Sequence, residues 1–370
     1  MVDDTAADLL TSPLHERHVA LGARFAEFAG WSMPLEYSGA VKEHNAVRES
    51  VGLFDVSHLG KAVVRGPGAA SYANACFTND LGKISPGKAQ YTLCCRDDGG
   101  VVDDLIAYLR GDDEVFLIPN AANTTEIVRL LTESAPPGVT VVNLHRKYAV
   151  IAVQGRHSDE TLAAIGYPVG HDYMSFVEVD HDGVPVVVCR TGYTGERGYE
   201  LVVPNSAAVS VWDALTAAGS PVGLLPAGLS ARDTLRTEMG YPLHGQDISA
   251  SITPVQARLG WAVGWGKERF RGDEALRAER EAKPARLLRG LVASGRGIPR
   301  PHMAVAGADG APLGEITSGT FSPIRRQGIG LALLDRSVAD GDEVYVDVRG
   351  RPEPFVVTKP PFVTPGAPVT

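Results

Sequence analysis

The sequence predicts an α+β protein of two or three domains that ends in a small β-barrel or sandwich. Three observations predict it. The chain has 370 residues, 44% of them hydrophobic and 21% charged. That is an ordinary globular balance on a chain too long for one core of roughly 100–150 residues. Up to about residue 280, short apolar strand-like runs alternate with amphipathic helical segments. After about residue 285 the composition shifts. "RGLVASG", "MAVAGADGAPLGEITSGTFSP", "GIGLALL" and "DEVYVDVRGRPEPFVVTK" read as short strands separated by Gly/Pro turns.

The elements follow in order. The first ~50 residues read as mainly helical and loop-like. In "SGAVKEHNAVRESVGLFDVS", Val41, His44, Val47 and Val51 recur at near-helical spacing and Gly52 ends the pattern. "KAVVRGPGAASYANACF" is a strand, a Gly-Pro-Gly turn and a helix. "KAQYTLCCRDDGGVVDDLIAYLRGDDEVFLIPN" gives three strands, with turns at Asp97-Asp98-Gly99-Gly100 and Gly111-Asp112-Asp113. A helix over "ANTTEIVRLLTESA" stops at Pro136-Pro137. "YAVIAVQGR" and "VPVVVCRTGYTGERGYELVVP" are strand-forming, and "SAAVSVWDALTAAG" is an amphipathic helix closed by Gly219.

Composition excludes several functions. A net charge of −9 argues against a nucleic-acid partner. No apolar run reaches the ~18 residues of a membrane span. The acidic start "MVDDTAADLL" lacks the basic character of a targeting segment, so a cytoplasmic protein is expected. Cys76, Cys94, Cys95 and Cys189 have no metal-ligand spacing and read as reduced, buried thiols, with Cys94 and Cys95 on opposite faces of one strand. No metal is expected. There is no GxSxG, HExxH or full phosphate-binding loop, and the glycines of "GYTGERG" lie between strands instead of opening a helix. The ten histidines are unpaired in sequence and read as structural or solvated.

Three signals remain. In "GGVVDDLIAY", Asp103 and Asp104 project to opposite faces of a strand. Both can be turn residues; alternatively one closes the Gly99-Gly100 turn while the other faces a cavity and needs a hydrogen-bond donor, such as a ligand. Glu200 in "GYTGERGYELVV" is either a strand-edge glutamate or a carboxylate that accepts two parallel hydrogen bonds from an amidine-like edge, as a guanidinium or a 2-amino-4-oxo pteridine provides. The upstream glycines allow close backbone approach or φ > 0. In "GLSARDTLRTEMGYPLHGQDI", Ser230 and Asp233 suggest a capping box and Gly240 a helix end. Arg232 then falls in the first turn against the helix dipole. It needs an anion, whether Asp233, Glu200 or a ligand carboxylate, and Arg236 could add a second donor. Tyr91, Tyr108, Tyr193 and Trp261 are core residues or flat walls for a planar ligand.

At these residues the sequence resembles the T-protein family of the glycine cleavage system, aminomethyltransferases that use tetrahydrofolate. The resemblance runs from about Pro13 to Val363. "FAGWSMPLEYSG" and "GLFDVSHLG" resemble the N-terminal signature, "GGVVDDLIAY" the strand of the catalytic acid, and "TGYTGERGYEL" and "GLSARDTLRTEMGYPLHGQDI" the folate-binding segments. "TPVQARLGWAV", "GEITSGTFSP" and "KPPFV" follow in order.

The resemblance implies a catalytic Asp104, a pterin-binding Glu200, and Arg232, Asn120, Tyr91 and Trp261 at the substrate, with Asp104 facing the folate and Asp103 supporting the turn. It implies a three-domain fold around a central opening. The first domain, folate-binding and discontinuous, takes residues 1–50 and 140–245; the second, carrying the catalytic Asp, 51–139 and 246–280; the C-terminal β-barrel, 281–370. It implies tetrahydrofolate as co-substrate and lipoylated H-protein as partner. Two departures stand out: Gln256 replaces the Glu of many members, which implies an altered packing or hydrogen bond, and the tail "TPGAPVT" lacks a folate-contacting Tyr. Related iron–sulfur assembly factors carry a Cys motif that "GKERFRGDEAL" lacks, and the flavin-linked dehydrogenases need a further domain. A folate-dependent demethylase and a silent folate-binding subunit are the alternatives.

Overall fold

The computed structural model describes residues 9–366; the acidic N-terminus and the last four residues of the tail, which two of the expectations above concern, lie outside them. Among the described residues the strands form four sheets. Gly52–Asp55, Tyr148–Gln154, Phe176–His181, Val184–Cys189, Gly198–Pro204 and Leu225–Pro226 make a six-stranded sheet. Ala62–Arg65, Lys88–Cys95, Val101–Gly111, Glu114–Ile118 and Thr140–Asn143 make a five-stranded one. Six strands between Arg286 and Thr358 close into the expected barrel.

Helix faces explain the layers. Asn205–Gly219 buries Ala208, Val211, Trp212 and Leu215 on the six-stranded sheet, an i, i+3, i+4, i+7 stripe. Thr124–Ser134 buries Ile127 and Leu131 on the five-stranded sheet. Cys94 and Cys95 enter different cores, as alternation requires, and all four thiols are free, although Cys76 is only half-buried. The two large sheets meet through Tyr108 and Phe116 on one side and Val187, Cys189 and Val202 on the other. Segment 246–280 packs Ile252, Leu259 and Phe270 between Leu93 and Val101 of the five-stranded sheet and Leu288, Ile329 and Leu331 of the barrel.

The structure differs from expectation at the start of the chain. Arg24–Phe28 and Trp31–Glu36 form a hairpin, joined by Leu10–Thr11 in a three-stranded sheet. Its turn is Ala29-Gly30, both at positive φ; alanine hides a turn that Asn-Gly would announce. Val41 is exposed, and Ala40–Glu49 buries His44 and Val47 instead. Strand pairing also puts Gly52–Asp55 with the first sheet and Thr140–Asn143 with the second. The sheets therefore change a few residues beyond the expected limits at 50 and 139, because a strand is assigned by its pairing partners and not by composition.

Candidate functional site

Asp104 sits near the start of the strand Val101–Gly111. On that strand Asp103, Leu105 and Ala107 face the helices, and Asp104 and Ile106 face the six-stranded sheet. The next strand pairs Ile118 with Ile106, so continuing two residues brings Asn120 beside Asp104. Asn120 Nδ2 lies 2.8 Å from Asp104 Oδ1 and 2.8 Å from Asp103 Oδ1, bridging the two carboxylates. On the other neighbour, Tyr91 pairs with Ile106, and its hydroxyl donates to Asp104 Oδ2 at 2.9 Å. Burial lifts the Asp104 carboxyl above the usual range, and the Tyr91 and Asn120 donors partly offset it. Burial, then the charge of Asp104, lifts Asp103 well above that range.

Asp103 does not support the turn, as expected of it. Its oxygens accept from the Asn120 N–H at 2.9 Å and from Asn123 Nδ2 at 2.7 Å, ahead of the helix Thr124–Ser134. The turn uses Asp98, which accepts from Gly100 N–H. Sequence cannot separate three aspartates within seven residues by turn propensity alone.

Glu200 lies on Gly198–Pro204, paired with Cys189, and is 7% exposed. Thr191 donates its hydroxyl to Glu200 Oε2 at 2.6 Å, and no protein group donates to Oε1 among the described residues. The glycines serve as expected: a side chain on Gly192 or Gly198 would collide with the Gln154 amide, and Gly195 has φ +81°.

Arg232 projects from the helix Leu229–Met239, its guanidinium 4.8 Å from the Tyr193 ring centroid. No carboxylate of the described residues pairs with it; burial pulls its pKa down and Glu200 opposes this. Two expectations on this helix fail. Gly228, not Ser230, is its N-cap, with no side-chain cap bond. Arg236 points away from the site, to Asp233, Asp247 and Ser318, because a residue four positions on is rotated by about 40° and here meets the barrel. Gly240 ends the helix at φ +69°, as expected. Trp261 is 67% exposed and stacks on Tyr91, centroids 5.3 Å apart.

One cavity of about 230 Å³ gathers Asp104, Asn120, Glu200, Arg232, Tyr91 and Trp261, with Tyr193 also in its wall. Tyr108 is not there; it fills the core between the sheets. The wall also holds residues not singled out one by one in the sequence, among them Tyr173, His58 and His244. His58 is 2% exposed, and burial, with Arg232 nearby, pulls its imidazolium down to about 3, so it is neutral. Gln256 makes a reciprocal pair of hydrogen bonds with Thr253. No helix is long and apolar enough to cross a membrane among the described residues.

Comparisons with known proteins show the family of the chain. The family model of the GCVT N-terminal domain matches residues 14–267, and that of the glycine cleavage T-protein C-terminal barrel domain matches 286–364. The chain is 65% identical over 359 residues to an aminomethyltransferase of Frankia alni, spanning 96% of this chain and 98% of that one. It is 61% identical over 359 residues to that of Mycolicibacterium paratuberculosis, with the same coverage. The crystal structure of glycine cleavage system aminomethyltransferase T from Bartonella henselae superposes with a TM-score of 0.91 at 32% identity, over 96% of this chain and 99% of that one. With both domains matched in order over nearly the whole length, the chain belongs to the glycine cleavage T-protein family, the aminomethyltransferases.

Proposed function

We propose that this enzyme takes the one-carbon unit from the aminomethyl-lipoyl group of H-protein and delivers it to tetrahydrofolate, releasing ammonia, 5,10-methylenetetrahydrofolate and dihydrolipoyl H-protein. The observation that carries the reading is the convergence of six residues from separate elements on one cavity. The donor set suits a reduced folate. Among the described residues Glu200 keeps one oxygen free of protein donors and Arg232 pairs with no carboxylate, and aromatic rings line the walls. At about 230 Å³ the cavity is smaller than the ~300–1,000 Å³ usual for a whole drug-sized ligand, so it suits a bicyclic ring whose tail leaves past the exposed Trp261 and Tyr173.

Tetrahydrofolate, when bound, supplies the nitrogens that accept the one-carbon unit. Glu200 holds the 2-amino edge of the pterin by charge-assisted hydrogen bonds. Arg232 offers donors to the oxo side, its charge kept in place by the Tyr193 face. Asn120 and Tyr91 fix both oxygens of Asp104, so its carboxylate is aimed before substrate arrives. Asp104 then orients the amine, stabilises positive charge developing at the transferred carbon and accepts a proton. Its raised pKa makes it a better base than an ordinary aspartate. The four free thiols suit a reducing, cytoplasmic setting.

The test mixes the chain with aminomethyl-loaded H-protein, with and without tetrahydrofolate, and follows ammonia and methylenetetrahydrofolate together. Equal, folate-dependent yields that fall by about 10²–10⁴-fold in Asp104→Ala support the reading. Folate binding without ammonia release points to the demethylase or the silent subunit.

A further inference from the structure

We infer that His244 is a positioning residue for Asp104, acting through a chain of hydrogen bonds that runs His244–Asn123–Asp103–Asn120–Asp104. The inference rests on the reading of Asp104 as the carboxylate that meets the reacting carbon.

The direction of every link is fixed by donor and acceptor chemistry. His244 Nε2 lies 3.2 Å from the Val101 carbonyl oxygen, which can only accept, so Nε2 carries the ring proton. Asn123 Nδ2, which can only donate, lies 3.0 Å from Nδ1, so Nδ1 is the accepting nitrogen. The same Asn123 nitrogen donates to Asp103 Oδ1 at 2.7 Å. An Asn123 amide turned the other way would set its oxygen against both the bare Nδ1 and the Asp103 carboxylate. The tautomer of His244, held by Val101, thus matches and holds the amide orientation in which Asn123 donates to Asp103.

The consequence reaches Asp104 through Asn120. The Asn120 side chain has two N–H groups, and three acceptors lie around them: Asp103 Oδ1 at 2.8 Å, Asp104 Oδ1 at 2.8 Å and the Asp104 carbonyl at 2.9 Å. With Asn123 in place, Asp103 receives a second side-chain donor, and Asn120 is shared between the two carboxylates. Without it, Asp103 is buried with fewer donors and competes for Asn120. Asp104 then keeps only Tyr91 on its carboxylate and loses its fixed orientation. Glu200, Thr191, Arg232 and Tyr193, on other elements, are untouched. A fault in the chain should therefore slow turnover without weakening folate binding.

The experiment measures steady-state kinetics with loaded H-protein and tetrahydrofolate for His244→Leu, His244→Gln, Asn123→Ala and the double variant H244L/N123A, with Asp104→Ala alongside. His244→Leu should lower kcat roughly tenfold, part of the ~10²-fold that a 1 Å misplacement can cost, and leave the folate KM within about twofold. Glutamine, whose amide oxygen can accept from Asn123, should recover most of the rate. The double variant should be no slower than the slower single, because both break one chain. A wild-type kcat in His244→Leu overturns the inference, as does a folate KM that rises as kcat falls, or multiplied losses in the double variant. If His244→Leu does not fold, Asn123→Ala against the wild type decides by the same kcat and KM criteria. An active Asp104→Ala removes the reading beneath it; an inactive Asp104→Ala with an unaffected His244→Leu removes the positioning role alone.

Discussion

At the residue scale, the site works by setting a carboxylate's ionisation against its donors. Burial raises the Asp104 pKa, and the Tyr91 hydroxyl lowers it by stabilising the anion. The base is the anion, so activity should be lost as pH falls through a pKa higher than that of an ordinary aspartate. Tyr91→Phe keeps the ring stacked on Trp261 but removes the donor, so the acidic limb of the pH–rate profile should move to higher pH. A limb that stays in place would show that Tyr91 does not act on Asp104. Glu200 sits on another sheet and should act on binding. Glu200→Ala should raise the folate KM about 10–100-fold, the ~1.5–3 kcal/mol of a charged hydrogen bond, and change kcat less; titration of turnover against folate checks it. These residues were legible in the sequence because a carboxylate beside an apolar strand is an anomaly, and the family resemblance gave each its role. His244 and Asn123 were not. Their significance lies in mutual distance, and 121 positions separate them.

At the element scale, the helix Leu229–Met239 links the cavity to the barrel. Arg232 faces the first, and Arg236, one turn on, faces the second. Its end depends on Gly240, whose φ of +69° strains a residue with a Cβ, and an added Cβ would collide with the Pro360 ring. Gly240→Ala should cost about 1–2 kcal/mol, read as a lower urea midpoint at unchanged slope. The helix and its stop were visible in "LSARDTLRTEMG". Its start differs from the expectation because Ser230 has the right chemistry two residues too late, and the chain begins the helix at Gly228 without a side-chain cap. The hairpin around Ala29-Gly30 was hidden for a related reason: tertiary packing overrode a weak local turn signal.

At the scale of the whole molecule, two kinds of contact hold the barrel to the rest. One is apolar: Leu288, Ile329, Leu331 and Phe362 pack on Ile248, Ile252 and Leu259. Such a cluster fits many orientations. The other is polar and specific. Asp247, fully buried, accepts from Arg236 at 3.0 Å, from the Leu243 N–H at 2.8 Å and from Ser318 at 2.7 Å, so one carboxylate joins helix, loop and barrel. Neither contact could be read from sequence beyond the composition shift near residue 285, because partners 70 positions apart share no local pattern. Asp247→Ala leaves the buried Arg236 with Asp233 as its remaining anion, and Asp233 is half-exposed. Breaking a buried pair from one side costs about 3–5 kcal/mol. The urea midpoint should fall accordingly, while Asp247→Asn, which keeps hydrogen bonds to Thr317 and Ser318, should lose less. Because Arg232 rides on the helix that Arg236 anchors, the folate KM should rise in Asp247→Ala together with the loss of stability. A lowered midpoint with an unchanged folate KM would mean that the apolar cluster alone sets the helix, and the charged contact adds stability without holding the site.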